Sequence, residues 1–237
     1  MREPIGGLLV SLANRLSTFV EDRCCGSLAI TRGVIDAGGQ VAVAIDLNES
    51  LICLYERVRD DWIPPTHLSK ETYQEIRKRP YDPSDPMTAF AMIFCSYGGK
   101  YAGGYLAPDL RWPGDTARFA SAKAASDLLA LAPILKTIEL RCCDCKLNLP
   151  RETRVIYFDT PYKGTMDYKK VPKFNHAEFI AFAERISQKH AVVVSEFSMP
   201  DNWRCIKEIR VPSPGLTVGK IERLFVLRGG LADRTMQ

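Results

Sequence analysis

The chain has 237 residues, of which 46% are hydrophobic and 25% are charged, and this composition predicts one well-filled globular domain with room for an insertion. The sequence lacks a run of about 18 apolar residues and a recognisable signal peptide, so we expect a cytoplasmic protein with no membrane partner. Its net charge of +4 permits a polyanionic partner but excludes nucleic-acid binding by charge alone.

The first part of the chain alternates between helical and strand patterns. Apolar residues at a 3.6-residue period predict a helix over residues 4–16, and a strand is expected at 18–21. A helix over 28–37, the apolar strand 40–46 and a helix over 48–58 follow. Such units form parallel sheets, and their ligands lie beyond the carboxyl ends of the strands.

Prolines then interrupt the chain repeatedly, and we predict that residues 61–125 are a mostly helical insertion between core segments 1–60 and 126–237. Inside it, residues 94–105 interleave four aromatic residues and four glycines around Lys100. This segment either presents flat rings and backbone groups to a nucleic acid or fills a small core of its own.

After the insertion the alternation resumes, and the last two strands follow one another directly. The predicted elements are a helix over 117–131, strands at 137–140 and 154–158, a helix over 176–189, and strands at 191–195, 205–211 and 221–227, with a loop at 212–220. We therefore expect an α/β sheet with an antiparallel tail.

The strand at 154–158 runs directly into Asp159-Thr160-Pro161-Tyr162. A carboxylate that accepts hydrogen bonds, beside a ring that stacks on a flat partner, suits the handling of an exocyclic amine on a purine. The alternative is an ordinary turn at a strand end, because Asp and Pro favour turns in any loop.

Two further polar signals stand at predicted strand ends, namely Gly26 after the first strand and Asp46 at the end of the second. In nucleoside-cofactor sites, a glycine lets the backbone approach the ligand and a carboxylate accepts hydrogen bonds from ribose hydroxyls. The sequence has no G-x-G-x-x-G at this position, which favours S-adenosylmethionine over NAD because the former has no pyrophosphate.

Eight cysteines raise the question of a metal site, mainly through Cys24-Cys25 and Cys142-Cys143-Asp144-Cys145. Adjacent cysteines do not easily ligate one tetrahedral ion, and the three histidines are not at ligand spacing from one another. We therefore predict no metal, with a zinc site as the alternative.

In their order along the chain, these motifs resemble those of the Dam-like N6-adenine DNA methyltransferases, especially the short forms of bacteriophages and prophages. The catalytic D-P-P-Y loop of that family is similar to Asp159-Thr160-Pro161-Tyr162, and the phage pattern continues in Lys163-Gly164-Thr165 with Tyr168. The family's cofactor loop E-P-F-x-G-x is similar to Phe19-Val20-Glu21 with Gly26, and its D-x-N is similar to Asp46-Leu47-Asn48. Residues 94–105 are similar to a glycine-aromatic segment of the family, and its closing strands are similar to Val194-Ser195-Glu196 and Glu222-Arg223-Leu224-Phe225. The resemblance spans about residues 19–226.

The resemblance implies a Rossmann-like methyltransferase sheet that uses S-adenosylmethionine to methylate N6 of a flipped-out adenine in double-stranded DNA. Asp159 and the carbonyl of Thr160 would accept hydrogen bonds from the amine, and Tyr162 would stack on the base. Cofactor contacts fall to Glu21, Gly26, Asp46 and Asp144, although Asp144 is equally a solvated turn residue. For DNA contacts in the insertion we select four residues that are otherwise ordinary surface groups, namely Lys100, Tyr101, Arg111 and Arg118.

The chain departs from the family pattern at two places. Thr160 replaces the first proline of the catalytic loop, and Asp22-Arg23 stands where the family has Pro-Phe. Two other functions therefore stay open: a catalytically degenerate DNA-binding relative, and an S-adenosylmethionine enzyme that acts on RNA or on a protein amide. The sequence does not indicate the oligomeric state.

Overall fold

The structure is a computed structural model that describes residues 2–97, 101–106, 120–164, 172–211 and 220–237. It divides into two compact units: a larger one of residues 1–47, 143–167 and 173–237, and a smaller one of residues 48–142 and 168–172. The predicted insertion 61–125 belongs to the smaller unit, whose boundary lies earlier in the chain, at residue 48.

The described residues form nine α-helices, seven strands and one π-helical turn. In chain order these are α1 (Arg2–Arg15), β1 (Val20–Arg23), α2 (Ala29–Asp36), β2 (Val41–Asp46), α3 (Glu49–Arg59), α4 (Lys70–Lys78), α5 (Pro86–Ala89), the π-helical turn (Phe90–Phe94), α6 (Ala120–Leu129), α7 (Ala132–Leu135), β3 (Glu139–Cys142), β4 (Val155–Phe158), α8 (His176–Ile186), β5 (Ala191–Glu196), β6 (Trp203–Val211), β7 (Lys220–Leu227) and α9 (Leu231–Met236).

Six strands of the larger unit form a sheet of order β2-β1-β4-β5-β7-β6. Strands β2, β1, β4 and β5 are parallel, whereas β7 runs antiparallel to both β5 and β6. The predicted Rossmann-like α/β fold with an antiparallel tail is therefore confirmed. Arg23, at the end of β1, lies level with Ile45 of β2 and Phe158 of β4, so the loops that follow these three strands start side by side.

Helix α8 covers one face of this sheet. The Asn175 side chain caps it by accepting a hydrogen bond from the backbone of Glu178. Its buried residues follow the helical period and contact the apolar side chains of β4 and β5; they are Phe179, Phe182, Ala183 and Ile186. The Phe158 and Phe179 rings meet edge to face at 5.1 Å, which fixes the helix over the strand that leads into the predicted catalytic loop.

Helices α1 and α2 pack closely because glycine stands at their contact. A Cβ atom added to Gly6 would lie 2.2 Å from the carbonyl oxygen of Gly33, a distance that side-chain motion does not relieve since the obstacle is backbone. Gly7, its neighbour in the same helix, has no heavy atom within 4 Å of such a Cβ.

We expect Gly6→Ala to lower the free energy of unfolding by about 1–3 kcal/mol, because the helices must separate to admit the methyl group. Urea unfolding monitored by circular dichroism measures it. Gly7→Ala is the matched control, and we expect it to be neutral or to stabilise by up to about 1 kcal/mol through helix propensity. Equal stability of the two variants would contradict the close approach of α1 and α2.

In the smaller unit, the aromatic segment 94–105 is partly packed. Tyr105 lies 5.6 Å from the Tyr73 ring, and the Tyr73 hydroxyl is 2.7 Å from that of Ser96. Tyr97 is 71% exposed. Residues 98–100 lie outside the described part of the chain. The Tyr101 ring contacts Tyr81 edge to face. Tyr101 and Tyr105 thus have the contacts expected of a small separate core, which is the second of the two predicted alternatives.

Several strand boundaries differ from the prediction by one or two residues, and two of these differences have a local cause. Strand β1 extends to Arg23 rather than ending at residue 21, because Asp22 and Arg23 are buried and hydrogen-bonded inside the unit. Strand β3 begins at Glu139 rather than at residue 137, because Thr137 still bonds through its amide and hydroxyl to Ile134 at the end of α7. Residues 212–219 of the predicted loop 212–220 and residues 117–119 of the predicted helix 117–131 lie outside the described residues, and Lys220 belongs to β7 rather than to that loop.

Among the described residues, none of the helices combines the length and apolarity needed to span a membrane.

Candidate active site

The predicted cofactor residues Gly26 and Asp46 are in direct contact in the larger unit. The backbone amide of Gly26 donates to Oδ2 of Asp46 at 2.9 Å. The amides of Cys24 and Cys25 both donate to the carbonyl of Ile45 at 2.8 Å, and the amide of Cys143 donates to that of Asp46 at 3.2 Å. The loops after β1 and β2 are therefore tied together at the carboxyl edge of the sheet, where ligands bind in this architecture.

The loop after β1 turns sharply to make these contacts. Gly26 has φ of +46°, and Cys24 and Leu28 on either side have φ of +71° and +57°. Only glycine adopts such angles without a steric cost, so the two non-glycine residues carry backbone strain. Strain of this kind concentrates at binding sites, and here it brings three backbone amides toward β2.

Glu21, the third predicted cofactor residue, is engaged in a buried ion pair. Its Oε2 accepts hydrogen bonds from Nε and Nη2 of Arg23 at 2.9 and 2.7 Å. Arg23 is fully buried and also donates to the backbone carbonyls of the loop that precedes β4, at Cys145, Leu147 and Asn148. Arg23 thus supplies a buried charge where the resembled family has an apolar ring, and it consumes one carboxylate oxygen of Glu21.

Asp22 is buried beside this pair on the same strand. Its Oδ2 accepts from the backbone amide and the hydroxyl of Thr31 at 3.0 and 2.7 Å, in the first turn of α2. Its Oδ1 has no hydrogen-bond partner within the described structure. Burial raises the pKa of the Asp22 carboxyl to about 6, against the lowering effect of Thr31.

Asp144 makes the contacts of a turn residue. Its Oδ1 accepts from the amide of Lys146 at 2.8 Å, and Oδ2 lies 3.6 Å from the Lys146 ammonium. The side chain is 39% exposed. Binding of the cofactor adenine by Asp144 remains a prediction, and this geometry is that of its alternative.

The predicted catalytic loop begins at the end of β4 with Asp159 partly buried. Oδ1 of Asp159 lies 3.0 Å from the Tyr162 hydroxyl. Burial raises the pKa of Asp159 to about 7, and the nearby negative charge of Glu222 adds to the effect, whereas the Tyr162 hydrogen bond lowers it. A carboxyl pKa raised by burial and by a neighbouring charge is typical of functional sites.

Strand β5 and the residue that follows it hold the rest of the loop. The amide of Lys163 donates to Oε2 of the buried Glu196 at 3.0 Å, and the Tyr162 ring meets Phe197 edge to face at 4.7 Å. Thr160 is buried, and no peptide bond among the described residues, including that before Pro161, is cis. The loop is fixed by these contacts although Thr160 lacks the rigid φ of the family proline.

The predicted DNA contacts fall largely outside the described residues: this applies to Lys100, Arg111 and Arg118. Tyr101 packs edge-on against Tyr81 with ring centroids 5.9 Å apart, and burial raises the pKa of its hydroxyl. Within the described residues no disulfide joins any two cysteines, and none of the His, Cys, Asp and Glu side chains form a group of three suited to a metal.

Sequence reasoning missed the side chains that surround the catalytic loop, namely Ser195, Glu196 and Glu222. It noted them only as parts of closing strands. A signal was present, because a carboxylate among the apolar neighbours of a buried strand needs a partner. Their partners lie 27 to 60 residues away in sequence, so no local pattern identified them.

Two solved structures of known proteins are weakly similar to this chain. No family model matches the sequence, and no curated protein matches it. Among solved structures, the rRNA methyltransferase aviRa from Streptomyces viridochromogenes shares 10% identity at a TM-score of 0.39, over 97% of this chain and 84% of that protein. SMU.472, assigned as a methyltransferase and solved with SAH, shares 7% identity at a TM-score of 0.30, over 91% of this chain and 50% of its own. Similarity this weak assigns neither a family nor an activity.

Proposed function

We propose that the protein transfers a methyl group from S-adenosylmethionine to the exocyclic amine of a nucleic-acid base, and specifically to N6 of adenine in DNA. The observation that carries the proposal is the meeting of two elements at one sheet edge. The Gly26–Asp46 contact follows β1 and β2, and the Asp159–Tyr162 loop follows β4, which neighbours β1. The proposed cofactor site and the proposed binding site for the substrate amine therefore lie next to each other.

The charge of this edge fits the cofactor. S-adenosylmethionine carries a sulfonium and an ammonium group, and both are cations. The negative charge of Asp46 contributes to the raised pKa of Asp22, and those of Glu222, Asp22 and Glu196 contribute to that of Asp159, so these carboxylates act on one another. A cation placed among them relieves this repulsion, and the unpartnered Oδ1 of Asp22 is a buried acceptor of the kind that an ammonium group satisfies.

Each catalytic-loop residue has a physical role in this proposal. Asp159 in its ionised form and the carbonyl of Thr160 accept one hydrogen bond each from the amine, which directs the nitrogen lone pair toward the methyl donor. The bound cofactor supplies the activated methyl group. Tyr162 offers its ring to the base, which offsets part of the cost of a few kcal/mol for removing the base from the duplex. Positioning and electrostatics supply most of the rate enhancement.

The DNA partner rests on the resemblance of the ordered motifs rather than on charge. With a net charge of +4, the protein needs specific contacts besides general attraction to phosphates. We place those contacts in residues 61–125, with Lys100, Tyr101, Arg111 and Arg118 as candidates.

The direct test is transfer of labelled methyl groups from S-adenosylmethionine to unmethylated mixed-sequence DNA, followed by single-molecule mapping of modified adenines. We expect label in DNA at adenines within one short sequence. RNA and a protein with exposed amides are the parallel substrates. Label in either of them and none in DNA supports the same chemistry on another amine, and no label in any substrate at saturating cofactor contradicts the proposal.

Cofactor binding has its own test. We expect Asp46→Ala to weaken binding of S-adenosylmethionine about tenfold or more, because it removes a charged hydrogen-bond acceptor from the proposed ribose site and releases Gly26. Isothermal titration calorimetry measures the affinity. Asp36→Ala, at the exposed end of α2, is the matched control and should bind as the wild type does. Unchanged affinity in Asp46→Ala would contradict the proposed cofactor site.

The buried Arg23–Glu21 pair favours a second candidate, a DNA-binding relative that has lost catalysis. If the cofactor needs both oxygens of Glu21, Arg23 competes with it for one of them. The same calorimetry distinguishes the two functions: a protein that binds DNA but gives no heat with S-adenosylmethionine or with its demethylated product is the degenerate relative.

A further inference from the structure

Three polar groups from three elements meet at the Tyr162 hydroxyl. The hydroxyl lies 3.0 Å from Oδ1 of Asp159 in the catalytic loop, 2.8 Å from the hydroxyl of Ser195 on β5, and 2.5 Å from Oε1 of Glu222 on β7. Ser195 is itself 2.5 Å from the same oxygen of Glu222. Glu222 and Ser195 are buried, so solvent does not substitute for these contacts.

Asp159 and Glu222 compete for the Tyr162 hydroxyl, because the phenol has one proton and both carboxylates lie within hydrogen-bond distance of it. The contact to Glu222 is the shorter one, so the phenol donates its proton to Glu222. The Ser195 hydroxyl donates to the same oxygen of Glu222. Without Glu222, the Tyr162 proton would pass to Asp159 and cap the oxygen that the proposed reaction needs as an acceptor.

We propose that Glu222 is a positioning residue for the catalytic loop, which draws the Tyr162 proton to itself and so leaves the Asp159 carboxylate open to the substrate amine. The role in catalysis rests on the proposed methyl transfer, whereas the proton arrangement is a property of the protein alone. The charges that face Asp159 have one sign on each neighbouring element, with Asp22 on β1, Glu196 on β5 and Glu222 on β7. Replacement of Glu222 alone therefore changes one of three like charges.

The arrangement predicts different responses in two variants. Glu222→Gln removes a negative charge and returns the Tyr162 proton to Asp159, and both changes lower the pKa of Asp159, by roughly one unit or more. Tyr162→Phe keeps the ring but removes a proton that Glu222 and not Asp159 receives in the wild type, so the pKa of Asp159 does not rise. A purely structural role for Glu222 would lower stability in the first variant without moving the titration of Asp159.

The experiment is a carboxyl carbon NMR titration of the ligand-free protein, with Asp159 assigned through Asp159→Asn. We expect a shift toward acid pH in Glu222→Gln and no alkaline shift in Tyr162→Phe. Glu208→Gln, which neutralises an exposed carboxylate on the neighbouring strand β6, is the control and should not shift Asp159. An unmoved titration in Glu222→Gln, or an alkaline shift in Tyr162→Phe, overturns the inference. If Glu222→Gln does not fold, Tyr162→Phe decides alone, since an alkaline shift there shows that Asp159 receives the Tyr162 proton in the wild type.

The pH profile of methyl transfer then tests the catalytic part. In Glu222→Gln we expect the acid limb of kcat/KM to move to lower pH, because Asp159 loses its proton at lower pH. We expect the plateau of kcat/KM to fall, because the Tyr162 hydroxyl then donates to the Asp159 oxygen that the substrate amine needs. A plateau equal to that of the wild type overturns the positioning role. If Glu222→Gln shifts the titration of Asp159 but the wild-type protein transfers no methyl group, the proposed function is contradicted and this inference is not. If Glu222→Gln does not shift that titration, this inference is contradicted whether or not the wild type transfers a methyl group.

Discussion

Replacement of Asp159 by alanine is expected to lower the rate of methyl transfer about a thousandfold while the protein stays folded and still binds S-adenosylmethionine. Asp159 lies 3.0 Å from the Tyr162 hydroxyl at the end of β4, but it belongs to the loop rather than to the apolar core, so the fold does not depend on it. Loss of one preorganised electrostatic contact to a reacting group typically costs about 10²–10³ in rate. The quantity to measure is single-turnover transfer of label at saturating cofactor and DNA.

The control for this prediction is Asp201→Ala, which removes an exposed aspartate from the loop between β5 and β6 of the same unit. Its transfer rate should equal that of the wild type. Cofactor affinity should change less than threefold in Asp159→Ala, because its partner in the site is the substrate amine. If Asp159→Ala retains more than a tenth of the wild-type rate, the amine is not held by this carboxylate and the assignment of the loop is wrong.

The parts of the site that the sequence predicted are those whose residues are close to one another along the chain or mark a strand end. Asp46 follows a run of apolar residues and Asp159 another, and the carboxyl ends of parallel strands necessarily share one edge. Because β1 and β2 are parallel neighbours, the loop with Gly26 and the loop with Asp46 start side by side, and the two residues are in contact. The longer helices α1, α2, α3, α6 and α8 were predicted for the same reason, since their periodicity is local, whereas the short helices α7 and α9 were not.

The end of β1 was not predictable in this way. A strand that closes on Glu-Asp-Arg reads as a strand entering a solvated loop, since charged residues are rarely buried without partners. Here each charge has a partner inside the unit: Glu21 pairs with Arg23, and Asp22 with Thr31 at the start of α2. The remaining acceptors of Arg23 are backbone carbonyls more than 120 residues away, which carry no side-chain signature at all.

The same limit applies to Tyr162. The sequence identified its ring as a stacking surface, but its hydroxyl is bound by groups on β5 and β7, and their approach depends on the antiparallel insertion of β7 between β5 and β6. Order of the strands in a sheet is a long-range property, set by which edges the whole chain leaves available. A motif of four residues therefore specified the chemistry of the loop but not the groups that control its protonation.

The buried guanidinium leads to the largest expected effect on stability. Arg23→Met should lower the free energy of unfolding by about 3–5 kcal/mol, because it leaves the carboxylate of Glu21 buried without its partner and removes the donor to three backbone carbonyls. Urea unfolding at several protein concentrations measures the change. Arg32→Met, which breaks the exposed pair with Asp36 on α2, is the matched control and should cost less than about 1 kcal/mol.

A double variant separates the two causes of that loss. Since buried ion pairs gain little over apolar pairs of similar volume, Glu21→Met combined with Arg23→Met should regain about 2 kcal/mol or more relative to Arg23→Met alone. No regain would show that the lost carbonyl contacts, and not the unpaired charge, dominate. The double variant also tests the cofactor role of Glu21: if it folds and binds S-adenosylmethionine as tightly as the wild type, Glu21 serves to neutralise Arg23, and the cofactor is held by Asp22, Gly26 and Asp46 instead.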